Sequence, residues 1–508
     1  MAFTPWGGEL WPLLFFALVP FLLPVVGRTV SMKQVRRYGF ACGFLHFFIL
    51  LYWIVIVLGR YGGLHWSIAV VALVLFASYM ALYFVLFAVF ARVLVTAFSP
   101  LTALWFLPTL WVGLDWLKGV AFTGIPWMDL GYGLWSAPLF IQSADIFGHH
   151  GLTWLVLFFN CLVALFLSGR CRYADRMYII VSGLLVLITV SGYSTVRRAE
   201  LEKISVEKVS SIRIGIVQGN IDQSAKWSAG SRGMTLDRYV GLSRSLLRSS
   251  QPELLVWPET ALPFYPVSGK YMGAMKAMTM ESGAALLTGA PWYEIVDYGE
   301  KRINYFNSAL LLDDKGKISG KYYKSHLVPF GEYVPLKKFL PFLAPLVEAA
   351  GDFSAGKIEH PLVWKQCRIG ILICFESVFP ELTRKWVSSG ANMLVNLTND
   401  AWYGKSSAPH QSLAMAVLRA VESRRAVVRA ANTGISAFIT PLGEIVGESE
   451  LFRPYGHAED VPLWEVKTFW ARYGYLFGPF CLLTGCLLVL VSMRNAGWPV
   501  ERESGKMK

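Results

Sequence analysis

Residues 367–377 read Cys-Arg-Ile-Gly-Ile-Leu-Ile-Cys-Phe-Glu-Ser, from Cys367 to Ser377. Ile369 to Ile373 run uncharged into Cys374, the pattern of a fully buried central strand that carries a reactive side chain at its C-terminal end. Cys374 is therefore a candidate nucleophile. A cysteine packed into a β-core would give the same pattern, because cysteine is among the most buried residue types. The choice between the two depends on what accompanies the stretch elsewhere in the chain.

The chain has 508 residues, 55% of them hydrophobic and 15% aromatic, and a formal net charge of +13. This composition excludes a wholly soluble protein and describes a membrane protein with one sizeable polar domain. Much of the basic excess flanks apolar runs, so it belongs to topology and carries no nucleic-acid inference. Of the seven cysteines, only Cys367 and Cys374 fall in the polar region. On one strand their Cα atoms would stand about 23 Å apart, beyond disulfide reach. No Cys/His spacing suggests zinc, and no metal or cofactor is expected.

Apolar runs long enough to span a bilayer occur at about 10–27, 39–58, 67–90, 101–117, 150–168, 177–193 and 474–493. The fourth is the weakest, with Pro108 inside it and Asp115 near its end. Arg28, Lys33, Arg36 and Arg37 crowd the first connection, Arg92 lies in the third, and Arg170, Arg172 and Arg176 lie in the fifth. Arg494, Arg502, Lys506 and Lys508 mark the tail, whereas the alternate connections hold only Arg60 and Lys118. The positive-inside rule then sets the N-terminus outside, the C-terminus inside and the polar segment outside. The first run lacks a basic n-region and is not read as a cleavable signal. The cluster of Trp127, Asp129, Tyr132, Trp135, Asp145, His149 and His150 reads as an interfacial aromatic belt with a solvated loop.

The expected organisation is a membrane domain over 1–196 with six spans, an extracytoplasmic domain over 211–455 and a last span at 474–493. Within the polar domain short β-type runs appear at Ile212–Val217, Leu254–Trp257, Ala285–Thr288, Ser308–Leu312, Ile369–Ile373, Met393–Leu397 and Ser436–Thr440. Helical stretches such as Arg238–Leu247 and Gln411–Arg425 lie between them. The alternation predicts a layered α/β or α+β domain. Val334–Ala350, apolar but interrupted by Pro335, Pro341 and Pro345, is either core or a lid that dips into the membrane interface.

Three motifs each offer one reactive side chain. Trp257-Pro-Glu259-Thr260 puts Glu259 where a strand breaks at proline. Lys321-Tyr-Tyr-Lys324-Ser-His326, running on to Glu332, supplies an amine and a carboxylate in a turn-rich loop. The third is Cys374 itself. Singly they read as a surface acid, a solvated charge and a core thiol. Together, in the order Glu, Lys, Cys, they resemble the carbon–nitrogen hydrolase (nitrilase) superfamily over about 212–450. The flanking spans, the Gln218-Gly-Asn-Ile221 opening, the Leu327-to-Pro335 loop and Asn399-Asp-Ala-Trp-Tyr-Gly404 resemble the apolipoprotein N-acyltransferase family within it.

That resemblance implies an αββα sandwich on a polytopic helical membrane base, in the bacterial inner membrane with the catalytic domain on the periplasmic side. It implies a phospholipid acyl donor, an acceptor that is the α-amino group of an N-terminal S-diacylglyceryl-cysteine on an apolipoprotein, and a ping-pong path through a Cys374 thioester. A free thiol titrates near ~8.5 and needs a base or a cation at neutral pH. Glu259 is the expected base and Lys324 the oxyanion partner, helped by the Phe375 backbone N–H. Glu332 and Glu376 match family positions that orient the lysine and the thiol, and Trp227 matches a tryptophan on a mobile arm. Each also reads as a plain loop acid, strand-end acid or core indole. Phe375 stands where relatives often carry tyrosine. Relatives usually have eight spans, so either this protein does without the first or its chain starts upstream of Met1. A membrane-tethered amidase and a lipid-binding scaffold with an inactive enzyme domain are the competing readings.

Overall fold

The computed structural model describes residues 8–27, 29–206, 209–223, 230–269, 271–297, 302–333 and 352–496. The chain divides into two compact units. One comprises Met1–Val55, His65–Arg198 and Arg472–Lys508, the other Ile56–Leu64 and Ala199–Ala471.

The first unit is helical. Among the described residues four helices are long and apolar enough to cross a membrane: Trp66–Ala97, Ala144–Leu167, Tyr173–Ile204 and Gly474–Arg494. Met32–Leu50 is capped reciprocally by Ser31 and Gln34, which satisfies two otherwise orphaned backbone donors. Together with Trp53–Tyr61, from which it is bent by 48°, it makes a fifth candidate span. The apolar run at 10–27 is not one helix. It forms a 3₁₀ turn, Trp11–Phe15, and an α-helix, Val19–Val26, each with a proline in its first turn, where the missing N–H costs nothing. Pro100–Val120 is helical throughout but buries Asp115 and Lys118.

The segment read as a solvated loop is instead interior. Trp127, Asp129, Tyr132, Asp145 and His149 are all buried. Lys118 donates to Asp115 at 3.0 Å and to Asp129, and the second oxygen of Asp129 meets His149 Nε2 at 3.2 Å. Tyr132 stacks on the His149 ring at 4.6 Å. Charge pairing explains the burial, because an acid inside an apolar unit must find a cation or a donor.

The second unit is an α/β sandwich of two six-stranded sheets. Its strands are β1 (Ser211–Gln218), β2 (Leu254–Val256), β3 (Ala285–Asp297), β4 (Arg302–Leu312), β5 (Ile318–Tyr323), β6 (Leu362–Trp364), β7 (Cys367–Ile373), β8 (Met393–Thr398), β9 (Ala426–Ala431), β10 (Ala437–Ile439), β11 (Ile445–Val446) and β12 (Tyr455–Pro462). One sheet runs β12-β1-β2-β3-β4-β5 and the other β11-β10-β9-β8-β7-β6. In each, three central strands are parallel, β1-β2-β3 and β7-β8-β9, and the flanking strands antiparallel. Contacts of β1 with β9 and of β4 with β7 join the sheets, Ser231–Ser250 packs on β1 and β12, and Pro380–Ser388 packs on β7.

From Ile369 on, β7 is apolar on both faces, as a strand covered by sheet and helix tends to be. Ile369, Ile371, Leu372 and Ile373 of β7 are at most 1% exposed. Gly370 lets the outer helix close on the strand: a Cβ there would lie 2.8 Å from the Trp386 side chain, whose indole N–H donates to the Ile371 carbonyl at 2.7 Å. The sheet continues past residue 455, since β12 pairs along the whole of β1 from Gln218↔Tyr455 to Ser211↔Pro462. β12 lacks the apolar run that marks the central strands, reading Tyr-Gly-His-Ala-Glu-Asp-Val-Pro, because an edge strand keeps one face in water.

Candidate active site

The site draws its side chains from the ends of β2, β5 and β7. The β2 end is held by Trp257, fully buried, stacked on Tyr239 at 5.1 Å and donating to the Ser243 hydroxyl at 2.8 Å. Pro258 breaks the strand, and Glu259 follows, 7% exposed. The turn nests on β3 where Gly289 stands: a Cβ there would be 2.6 Å from the Glu259 Cα. Gly289 is therefore what lets the carboxylate sit so close to the sheet.

Lys324 follows β5 and is 1% exposed. Its ammonium lies 2.9 Å from Glu332 Oε2 and 3.0 Å from Oε1, and 3.8 Å from Glu259 Oε1. Asn307 on β4 donates one amide nitrogen to both acids, at 2.8 Å to Glu259 Oε1 and 2.8 Å to Glu332 Oε1. The Val328 N–H fixes the other oxygen of Glu332 at 2.9 Å.

Cys374 follows β7 directly, half-buried, with φ +53°. A left-handed backbone at a non-glycine residue is uncommon and marks a strained turn. The turn is locked by Glu376, fully buried. One oxygen of Glu376 accepts from Tyr322 Oη at 2.8 Å, Ser325 N at 2.7 Å, Ser325 Oγ at 2.8 Å and His326 N at 3.0 Å. Its other oxygen accepts from the Ile373 N–H at 2.7 Å. Glu376 thus ties the Cys374 turn to the lysine loop. Burial raises its pKa, and this ring of donors works in the opposite direction.

Burial pushes the Cys374 thiol up to about 12, the Glu259 carboxylate adds to the rise, and Lys324 and the Thr398 hydroxyl oppose it. Burial alone would lower the pKa of Lys324, but the Glu332 and Glu259 carboxylates and Cys374 overcome it and hold the ammonium above the ordinary lysine range. The resting site is therefore a neutral thiol beside a carboxylate and a fixed cation. Such a thiol gains nucleophilicity by losing its proton to a neighbouring base as it attacks.

Five of the residues singled out in the sequence, Glu259, Lys324, Glu332, Cys374 and Glu376, form one connected site. Phe375 sits in the Cys374 turn with its ring against Phe379 at 5.1 Å. Trp227 and Val334–Ala350 lie outside the described residues. Asn307 was not legible, because a lone amide in a strand carries no local signal. Asp400 and Tyr403 belong to the Asn399–Gly404 motif but had no assigned role. Asp400 accepts from Thr398 Oγ1 at 2.8 Å and pairs with buried Arg429 at 2.8 Å. Burial, then the charges of Cys374, Asp400 and Glu259, hold the Tyr403 phenol well above its usual range, so it remains a neutral hydroxyl.

Among the described residues one group has metal-ligand spacing, Asp129, His149 and His150 in the helical unit. Both oxygens of that aspartate already have partners, the Lys118 ammonium on Oδ1 and His149 Nε2 on Oδ2, so its charge is paired by the protein itself.

Residues 1–162 match the model of the apolipoprotein N-acyltransferase N-terminal domain, and residues 213–454 match that of the carbon-nitrogen hydrolases. The chain is 39% identical over 487 residues to an apolipoprotein N-acyltransferase of Geobacter metallireducens, covering 95% of this chain and 91% of that one. It is 32% identical to the Pseudomonas syringae pv. tomato protein of the same name, covering 94% and 91%. Among solved structures, a carbon-nitrogen hydrolase from Helicobacter pylori G27 aligns with 53% of this chain and 94% of its own, at TM-score 0.38 and 16% identity.

Proposed function

Because the chain belongs to the apolipoprotein N-acyltransferase family, we propose that this bacterial membrane acyltransferase takes its acyl chain from a phospholipid. The acceptor in this reading is the α-amino group of an N-terminal S-diacylglyceryl-cysteine, reached through a thioester on Cys374. Residues 1–196 and 474–493 act as the membrane base and 211–455 as the catalytic core. The family places the protein, in this reading, in the inner membrane, and the basic residues of the first, third and fifth connections and of the tail favour a periplasmic catalytic unit.

What supports the reading is that Lys324 and Glu259 lie 3.8 Å apart and that both charges act on the Cys374 thiol, three groups from distant strand ends. As Cys374 attacks the ester carbonyl, its proton passes to Glu259 and the carbonyl electrons move onto the oxygen. Lys324 and the Phe375 N–H stabilise that oxyanion, a role worth about 10² to 10³ in rate per donor. Collapse expels a lysophospholipid, whose oxygen takes the proton back from Glu259. The acceptor amine then attacks the thioester, Glu259 removes its proton, and the amide departs as the thiol is restored. Asn307 and Glu332 support this by fixing the lysine and aiming the base, and Glu376 by holding the turn.

The test is mass spectrometry of the enzyme mixed with phospholipid and no acceptor. An acyl mass on the Cys374 peptide, discharged by a diacylated lipopeptide, is expected. Acyl transfer that proceeds unimpaired in Cys374→Ala would overturn the mechanism.

A further inference from the structure

We propose that Thr398 is a further catalytic residue, a hydroxyl that bonds Asp400 while Cys374 is a thiol and turns its proton to the sulfur as the thiolate forms. The inference deepens the reading above and rests on Cys374 as the nucleophile.

The first support is register. β7 and β8 are parallel neighbours with Ile373 beside Leu397, so Cys374, the first residue after β7, and Thr398, the last residue of β8, come side by side at the strand ends. Thr398 is 1% exposed, and its hydroxyl favours the ionised form of the Cys374 sulfur. A hydroxyl has one proton and two lone pairs. It can accept from S–H while donating elsewhere, or donate to S⁻, but it cannot donate to both partners at once.

The second support is that Asp400 does not depend on that proton. Its Oδ1 accepts from Thr398 at 2.8 Å, while Oδ2 is held by Arg429 Nη2 at 2.8 Å. Arg429 is fully buried and donates also to the Ile435 carbonyl at 3.0 Å and to Asn396. Gly434 closes the other side, where a Cβ would lie 2.0 Å from Asp400 Oδ2. The carboxylate is thus clamped with or without the threonine, and the hydroxyl proton is the movable part.

The third support is the balance of charge around the sulfur. Glu259 after β2, with Asp400 and Tyr403 after β8, oppose or do not assist a thiolate, and Lys324 after β5 favours it. On its own turn, Glu376 is saturated by donors of the lysine loop and the strand end. Lys324 is already engaged by Glu332. A second donor on the β8 side therefore gives the thiolate a charge-assisted hydrogen bond that the thiol lacks. In the step itself the S–H bond breaks, its proton goes to Glu259, and the electron pair stays on sulfur to form the S–C bond. Thr398 keeps its own proton and only redirects it.

The experiment measures alkylation of Cys374 by iodoacetamide between pH 7 and 10 in the full-length enzyme, resolved by peptide mass spectrometry, for wild type, Thr398→Val and Thr398→Ser. Thr398→Val should slow alkylation about ten-fold or more, the scale of one hydrogen bond to a charged group, and Thr398→Ser should return it to within about two-fold of wild type. Thr398→Ala, which empties the space instead of filling it, should match the valine variant and covers the case in which valine misfolds. An unchanged rate in the valine and alanine variants, or a loss that serine does not repair, overturns the proposal. The readout scores the thiol directly, so failure of Cys374 as nucleophile shows separately, as transfer surviving in Cys374→Ala.

Discussion

Two buried lysines invite comparison. Lys118 of the helical unit and Lys324 of the α/β unit each lie between two carboxylates, Asp115 and Asp129 for the first, Glu332 and Glu259 for the second. The charge count is the same, but the pairing is not. Around Lys118 both acids accept from the ammonium, and each has another partner, Trp111 Nε1 at 2.9 Å for Asp115 and His149 for Asp129. Around Lys324 only Glu332 is hydrogen-bonded to the ammonium, and Glu259 stands off at 3.8 Å, steadied by an amide. Beside that looser acid a strained turn presents a thiol. The first arrangement satisfies its charges and stabilises helices. The second leaves a carboxylate that is not bonded to the ammonium beside a thiol, the pair proposed above as base and nucleophile.

The comparison can be broken in four places. The largest expected effect is Cys374→Ala, which should cut acyl transfer by about 10⁴-fold or more, as removing a nucleophile does, while leaving the melting temperature near wild type. Lys118→Met comes next: it strands two buried acids and should cost about 3–5 kcal/mol of stability, read by thermal unfolding, with turnover of the folded fraction retained. If turnover falls while stability holds, the two lysines are not different in kind. Lys324→Met should lower kcat by about 10² to 10³-fold, seen in steady-state kinetics with little change in the circular dichroism spectrum. Glu376→Gln should lose about 1–3 kcal/mol, because an amide cannot accept from every donor now facing the carboxylate, and its melting temperature should fall by less than that of Lys118→Met.

A pH dependence sharpens the contrast and is the subtlest effect. The Cys374 thiol is pushed up to about 12 by burial first and Glu259 second, whereas an unfolded chain releases that proton near ~8.5. Between those values the unfolded state binds fewer protons, so stability falls as pH rises. The contribution is fully present below pH ~8.5 and is lost as pH climbs toward 12. The wild-type melting temperature should therefore drop more steeply than that of Cys374→Ala above pH 9, and parallel slopes would contradict the assignment.

Local pattern alone made much of this protein legible. Ile369–Ile373 declared a buried strand, Pro258 declared where β2 stops, and the order Glu259, Lys324, Cys374 with its flanks marked the family. These are properties of neighbouring residues, and short-range sterics and hydrophobic periodicity express them directly. The edge strand β12 and the burial of Asp129 and His149 were not visible, because β12 pairs with a strand more than 200 residues earlier and the two buried residues depend on helices folding back to bring them together with Lys118. The same holds for Asn307 bridging two acids and Thr398 emerging beside Cys374. Sheet register and charge pairing decide such contacts, and they exist only once distant segments have closed on one another. The sequence determined which reactive groups the chain carries, and the tertiary structure decided which charges are satisfied and which remain able to react, since pairing is a matter of distance.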